Sequence, residues 1–218
     1  MSCCGDGAAF DGASVKYQRV LWLVIIINGS MFFVEMGMGF TAQSQALKAD
    51  ALDFLSDTAT YALSLYVIGR SVIWRTNASL FKGFSLGVLG VWVFGSTCYQ
   101  IFVAGNPVAS VMGAVGILAF VANVISAILL FKFRNGDANV RSVWLCSRND
   151  AIGNLAVVLA AVGVWGTETA WPDLLVAGLM AGLFLSGACQ IVRQAQMEKN
   201  QSINNLVIQR RAEKEFIL

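Results

Sequence analysis

Histidine is missing from all 218 residues. Its absence removes the usual proton carrier near neutral pH and the commonest transition-metal ligand, so such chemistry falls to carboxylates and thiols. Charge is scarce too. Asp, Glu, Lys and Arg make up 13% of the chain and 57% is hydrophobic, where a soluble domain carries roughly a quarter charged residues. With so little polar surface, the solvent for most of the length has to be lipid. No basic patch with interleaved aromatics is present, which argues against a nucleic-acid partner, and a net charge of +2 adds little. The five cysteines (Cys3, Cys4, Cys98, Cys146 and Cys189) are odd in number and scattered, which is not a disulfide framework. The first apolar run is too long for a signal-peptide core and lacks a small-residue cleavage pattern, so it reads as an uncleaved helix.

What is present is six apolar stretches, each long enough to cross about 30 Å of hydrocarbon. They lie near 19–41, 46–74, 80–104, 107–131, 141–165 and 173–192. The breaks carry Gln43-Ser44-Gln45, Arg75-Thr76-Asn77, Gly105-Asn106-Pro107, Arg134-Asn135-Gly136-Asp137 and Gly166-Thr167-Glu168-Thr169 with Pro172. The expected protein is an all-α membrane protein with six transmembrane helices at 19–192, an N-terminal arm at 1–18 and a short tail at 193–218. Lys16, Arg19, Arg70, Arg75, Lys82, Lys132, Arg134, Arg141 and five tail residues fall at one end of the helices, against Lys48 alone at the other. That asymmetry predicts both termini in the cytoplasm of a multi-pass protein of the cytoplasmic (inner) membrane. Gly178-x3-Gly182-x3-Ser186 and Gly83-x3-Gly87 have the small-residue spacing that lets helices approach closely.

Into this apolar chain comes Asp50-Ala51-Leu52-Asp53-Phe54-Leu55-Ser56-Asp57. Spacings of three and four put the three carboxylates on one helix face. An ionised Asp inside a bilayer costs about 2.5–3.5 kcal/mol on insertion scales, so three together need a strong reason. A cation supplies one. The fifth stretch repeats the pattern, with Leu145-Cys146-x3-Asp150 answering Leu52-Asp53-x3-Asp57, three spans apart. That hints at two three-helix repeats with a site between them. At 1.5 Å per residue, Asp57 lies about 16 Å below the outer edge and Asp150 about 13 Å above the inner one. Both reach the midplane, and two antiparallel helices with such pairs can surround one ion with Asp53, Asp57, Cys146 and Asp150.

Carboxylate oxygen and thiolate sulfur both bind Zn²⁺. Three carboxylates and a thiolate overcharge one divalent ion, so metal binding is expected to release protons, the basis for exchange against a proton gradient. Asn154, one turn beyond Asp150, competes with Cys146 for the last position. Asp50 reads as an outer-vestibule or proton-exit group, and Glu35 in the first span as a supporting or entry group. Cys3-Cys4 could capture soft metal. Arg148 is the one cation at depth within a span.

At these residues the chain resembles the cation diffusion facilitator family of metal exporters. Asp53-Phe54-Leu55-Ser56-Asp57 matches the family's pair on its second helix, and Asp150-Ala151-Ile152-Gly153-Asn154 looks like the stretch around the second Asp of its fifth. The resemblance implies six transmembrane helices and proton-coupled efflux of Zn²⁺ by alternating access, with Cd²⁺, Co²⁺, Ni²⁺, Fe²⁺ or Mn²⁺ as further substrates, usually by a homodimer. It implies a metal as substrate and no prosthetic group. Cys146 stands where the family most often has His or Asp, which tilts preference towards Zn²⁺ or Cd²⁺ over Mn²⁺. The family's His-rich loop is missing, and residues 193–218 are too few for its cytoplasmic domain, so the chain reads as a short form. Two other classes stand as alternatives: a membrane protein that binds or senses metal without moving it, and a metal-dependent intramembrane enzyme. The Asp-x2-Asp-Gly-x2-Ala-Arg and Gly-x-Gly-Asp cores of such enzymes are absent.

Overall fold

A computed structural model describes the backbone of residues 14–66, 72–103, 105–135 and 138–217, with side chains in 14–66, 80–81, 83–102, 105–135, 143–193 and 196–197. Six helices follow one another: α1 (Val15–Thr41), α2 (Gln45–Tyr66), α3 (Val72–Val103), α4 (Ala109–Phe131), α5 (Ala138–Thr167) and α6 (Trp171–Ile217). Among the described residues there is no strand. Cys3 and Cys4 lie outside the described residues, and Lys16 and Arg19 belong to α1. Ser14 caps that helix, its Oγ accepting from the Tyr17 amide at 3.2 Å.

Two boundaries differ from the expected ones. Helix α3 already starts at Val72, ahead of the break expected at Arg75-Thr76-Asn77. Arg75, Thr76 and Asn77 are therefore helical. They are polar without being helix breakers, and no Gly or Pro stands between them and Gly83. At the other end α6 continues through the expected tail to Ile217, because that stretch is rich in Gln, Glu, Lys, Arg and Ala and has no Gly or Pro.

Among the described residues, five of the six helices hold a stretch long and apolar enough to cross a membrane. The exception is α2, which carries Lys48, Asp50, Asp53 and Asp57. It is also the central helix: it touches each of the other five, and every residue from Ser44 to Leu52 is buried. Its polar groups therefore meet protein rather than lipid. Around it, large apolar side chains such as Phe81, Phe84, Phe102, Leu159 and Leu183 are exposed, whereas Asn28, Glu35, Asp50, Asp57, Asn123 and Asn154 are buried. This inverts the soluble pattern.

The buried apolar residues form two main clusters. One includes Ala46, Leu47, Leu52, Met112, Val157, Val164 and Val176, towards the start of α2 and α6. The other includes Tyr17, Leu21, Val24, Tyr61, Leu130 and Val143, towards the start of α1 and the far end of α2. At the first end the three short connections are laced together. The Val108 amide donates to the Ala42 carbonyl at 3.0 Å, Gln100 Nε2 donates to the Gln43 carbonyl at 2.6 Å, and Asn106 Nδ2 donates to the Glu168 carbonyl.

Glycine permits close approach in one of the two expected stripes. A Cβ added at Gly83 would meet Val192 Cγ2 at 2.9 Å, and one at Gly90 would meet Leu185 Cδ2 at 3.0 Å and Phe184 Cβ at 3.1 Å. The α3–α6 pair thus packs backbone against side chain. Gly178 and Gly182 have nothing within 4 Å of such a Cβ, and their neighbours Leu179 and Leu183 are exposed. Among the described residues, nothing packs closely against these two glycines. Gly90→Val is accordingly expected to cost about 1–3 kcal/mol by overpacking, and Gly178→Val little. Thermal unfolding of the two variants in detergent checks this; equal midpoints would contradict the packing.

Candidate metal site

The site starts from how α2 is anchored. A helix leaves its first amides without intrahelical partners and carries partial positive charge there. Ser44 Oγ accepts from the Leu47 amide at 3.1 Å. Asp173, fully buried in the first turn of α6, takes the next two: Gln45 N donates to Oδ2 at 2.8 Å and Ala46 N to Oδ1 at 3.0 Å. Ser44 Oγ also donates to Asp173 Oδ1 at 2.6 Å. A carboxylate from one helix therefore closes the start of another. Sequence reasoning missed Asp173, because an acid after Pro172 reads as serving its own helix and its partners are 127 to 129 positions away.

From that anchored start, Asp57 lies about 18 Å down the helix by the 1.5 Å rise. It falls between the two apolar clusters. Asp57 is buried and meets Asp150 of α5 directly, with Asp53 and Cys146 within electrostatic reach of Asp150. The structure thus brings Asp53, Asp57, Cys146 and Asp150 into one neighbourhood. It does not gather them into a closed coordination shell: among the described residues no three Cys, Asp or Glu side chains are close enough together to hold a metal ion.

Asn154 is fully buried, and neither its amide oxygen nor its nitrogen has a hydrogen-bond partner. Both Glu35 oxygens and Asp50 Oδ2 are likewise deeply buried, and the two carboxyls face one another across the α1–α2 contact. Glu35 also reaches Asp53 electrostatically, so the second pair adjoins the first. Buried polar atoms left without partners cost about 1–3 kcal/mol each, and a fold keeps them where they serve something other than stability. Arg148 does not compensate these acids. It is exposed, donates from Nε and Nη2 to Asn149 Oδ1 at 3.3 and 3.0 Å, and lies 5.3 Å from the Trp144 ring. Cys98 and Cys189 are free thiols on other helices, and Cys189 is exposed.

Tyr61 was the other residue missed. It stands one turn along α2 from Asp57, fully buried, and its hydroxyl donates to Asp57 Oδ2. The same oxygen lies 3.3 Å from Ser147 Oγ and 3.5 Å from the Val143 carbonyl, both on α5. Its signal was present in the sequence, since Asp53, Asp57 and Tyr61 repeat at four and share one face.

Residues 21–196 match the family described as the cation efflux transmembrane domain. The chain is 25% identical over 175 residues to the metal cation efflux system protein CzcD of Cupriavidus metallidurans, a match covering 75% of this chain and 55% of that protein. It is 26% identical over 194 residues to the zinc transporter ZitB of Escherichia coli, covering 83% and 62%. A third relative, metal tolerance protein A2 of Arabidopsis thaliana, is 30% identical over 127 residues, 52% of this chain and 32% of that one. The chain therefore spans between a third and two thirds of the length of these relatives.

Proposed function

The chain belongs to the cation diffusion facilitator (cation efflux) family, and from that premise we propose that it moves a divalent transition-metal cation out of the cytoplasm, Zn²⁺ first, in exchange for protons. The observation that carries this reading is the junction of α2 and α5, where Asp57 and Asp150 meet deep in the bundle with Asp53 and Cys146 beside them. Carboxylates and a thiolate offer oxygen and sulfur to a Zn²⁺-sized ion. Ligands of this kind bind metal in their deprotonated forms, so loading the ion releases protons and reprotonation favours its departure. The same groups then serve metal on one side of the membrane and protons on the other, which is what exchange requires. CzcD and ZitB, named for metal cation efflux and zinc transport, support the class of substrate.

In this reading Glu35 and Asp50 lie on the route from the site to the outer face, where a departing cation or an entering proton meets them. Asn154 is available to complete the ligand set from α5. The metal is substrate, and no prosthetic group is invoked. The termini face the cytoplasm, in keeping with the clustering of Lys and Arg, and the working unit is a homodimer in the cytoplasmic membrane.

Proteoliposomes with an imposed pH gradient test the proposal. Zn²⁺ uptake into acid-loaded vesicles, with proton efflux in step, is the expected result; binding with no net flux would favour the sensing alternative. Within that assay Cys146→Ser is expected to lower transport of Cd²⁺ relative to Zn²⁺ by about tenfold, since thiolate is the soft ligand of the set. An unchanged metal profile would make Cys146 a packing residue.

A further inference from the structure

The reading of Asp57 as a transport ligand does not require Tyr61, yet Tyr61 is bonded to one of the two oxygens that Asp57 would offer. From these contacts we infer that Tyr61 is a positioning residue that limits Asp57 to one-oxygen coordination and so selects a small four-coordinate ion over a larger six-coordinate one. The inference rests on the proposed role of Asp57 and adds selectivity to it.

The geometry carries the argument. A phenol has one hydrogen, and here it goes to Asp57 Oδ2. With that lone pair engaged, the carboxylate turns its other oxygen to a cation more readily than both. The phenol itself is held in place. Its ring belongs to the apolar cluster with Tyr17, Leu21, Leu130 and Val143, all buried. Its oxygen lies 3.3 Å from Ser147 Oγ, so with the phenol proton committed to Asp57 the serine hydroxyl is the donor in that contact. A partner behind a ligating carboxylate commonly fixes its orientation, and losing one typically costs 10- to 100-fold in metal affinity. Zn²⁺ is content with four ligands, whereas Mn²⁺ wants six oxygens. An Asp57 free to bind through both oxygens is therefore worth more to Mn²⁺.

Co²⁺ bound to the purified full chain is the probe, because its visible absorption is intense in four-coordinate sites and weak in six-coordinate ones. For Tyr61→Phe, which keeps the ring in its cluster, we expect the intense bands to fall several-fold and the affinity ratio of Zn²⁺ over Mn²⁺ to drop by about tenfold. Ser147→Ala, which frees the phenol oxygen, is expected to move both readouts the same way by a smaller factor. A wild-type spectrum and ratio in Tyr61→Phe would overturn the inference, and if that variant fails to fold, wild-type values in Ser147→Ala would do so. Asp57→Asn measured alongside separates the two layers: if it binds Co²⁺ as the wild type does, the ligand assignment itself has failed, whatever Tyr61 does.

Discussion

Asp57→Asn and Asp150→Asn are each expected to lower metal flux by about two orders of magnitude or more while leaving a folded protein in the membrane. The scale follows from the chemistry. Partners one bond behind a ligand already contribute 10- to 100-fold, and here the ligand itself would lose its charge. Asparagine is close to aspartate in shape, so the packing of Asp57 between the two apolar clusters should survive the change. Stability should even rise slightly, because one of two adjoining carboxyls no longer has to be accommodated beside the other. Radiometal uptake in proteoliposomes, with elution volume and thermal midpoint as controls, decides the matter. Flux within threefold of wild type in either variant, at normal folding, would remove that residue from the site.

Asp173→Ala carries the largest expected cost in stability, about 3–5 kcal/mol, the range for removing one partner from a buried charged arrangement. Three donors lose their acceptor at once: the Gln45 and Ala46 amides and the Ser44 hydroxyl. None can turn to water, since Ser44 to Leu52 are buried throughout. Asp173→Asn should recover part of the loss, because its side-chain oxygen can still accept. Ser44→Ala should cost about 1 kcal/mol, an ordinary helix-cap value. Chemical or thermal unfolding of the three variants gives the order directly. An Asp173→Ala protein as stable as wild type would show that the start of α2 is held by other means.

The architecture was legible because lipid simplifies the problem: apolar length gives the helices, and the acids that interrupt it, on the second and fifth stretches above all, mark the candidate site. The approach of Asp57 to Asp150 could be expected from spacing and depth alone, since two antiparallel helices with matching pairs have few ways to meet. What stayed hidden depended on side chains reaching across the bundle. Asp173 looks like a first-turn acid of α6 until its oxygens are seen on the amides of α2. Arg148 looks like a counter-charge in sequence and turns out to point away, onto Asn149 and Trp144. The glycine stripes show the same limit: identical spacing packs Gly83 tightly and leaves Gly178 open, because the pattern does not say which face meets a neighbour. Helix ends escape the sequence where a polar stretch without Gly or Pro stays helical, as at Arg75–Asn77 and beyond Arg193.

The position of α2 has a consequence for how the protein is made. It is the helix that lipid would accept least readily, and it has the most neighbours to wait for. A ribosome delivers it directly after α1 and ahead of the other four helices it touches. The pair can enter as a hairpin, since Gly39 of α1 brings the backbone close to Lys48. The carboxylate that completes the start of α2 is synthesised 129 residues after Ser44. The start of α2 is therefore completed only once α6 has been made. Until α6 has left the ribosome, the amides that open α2 lack the acceptor Asp173 supplies, and the central helix of the bundle waits without that cap.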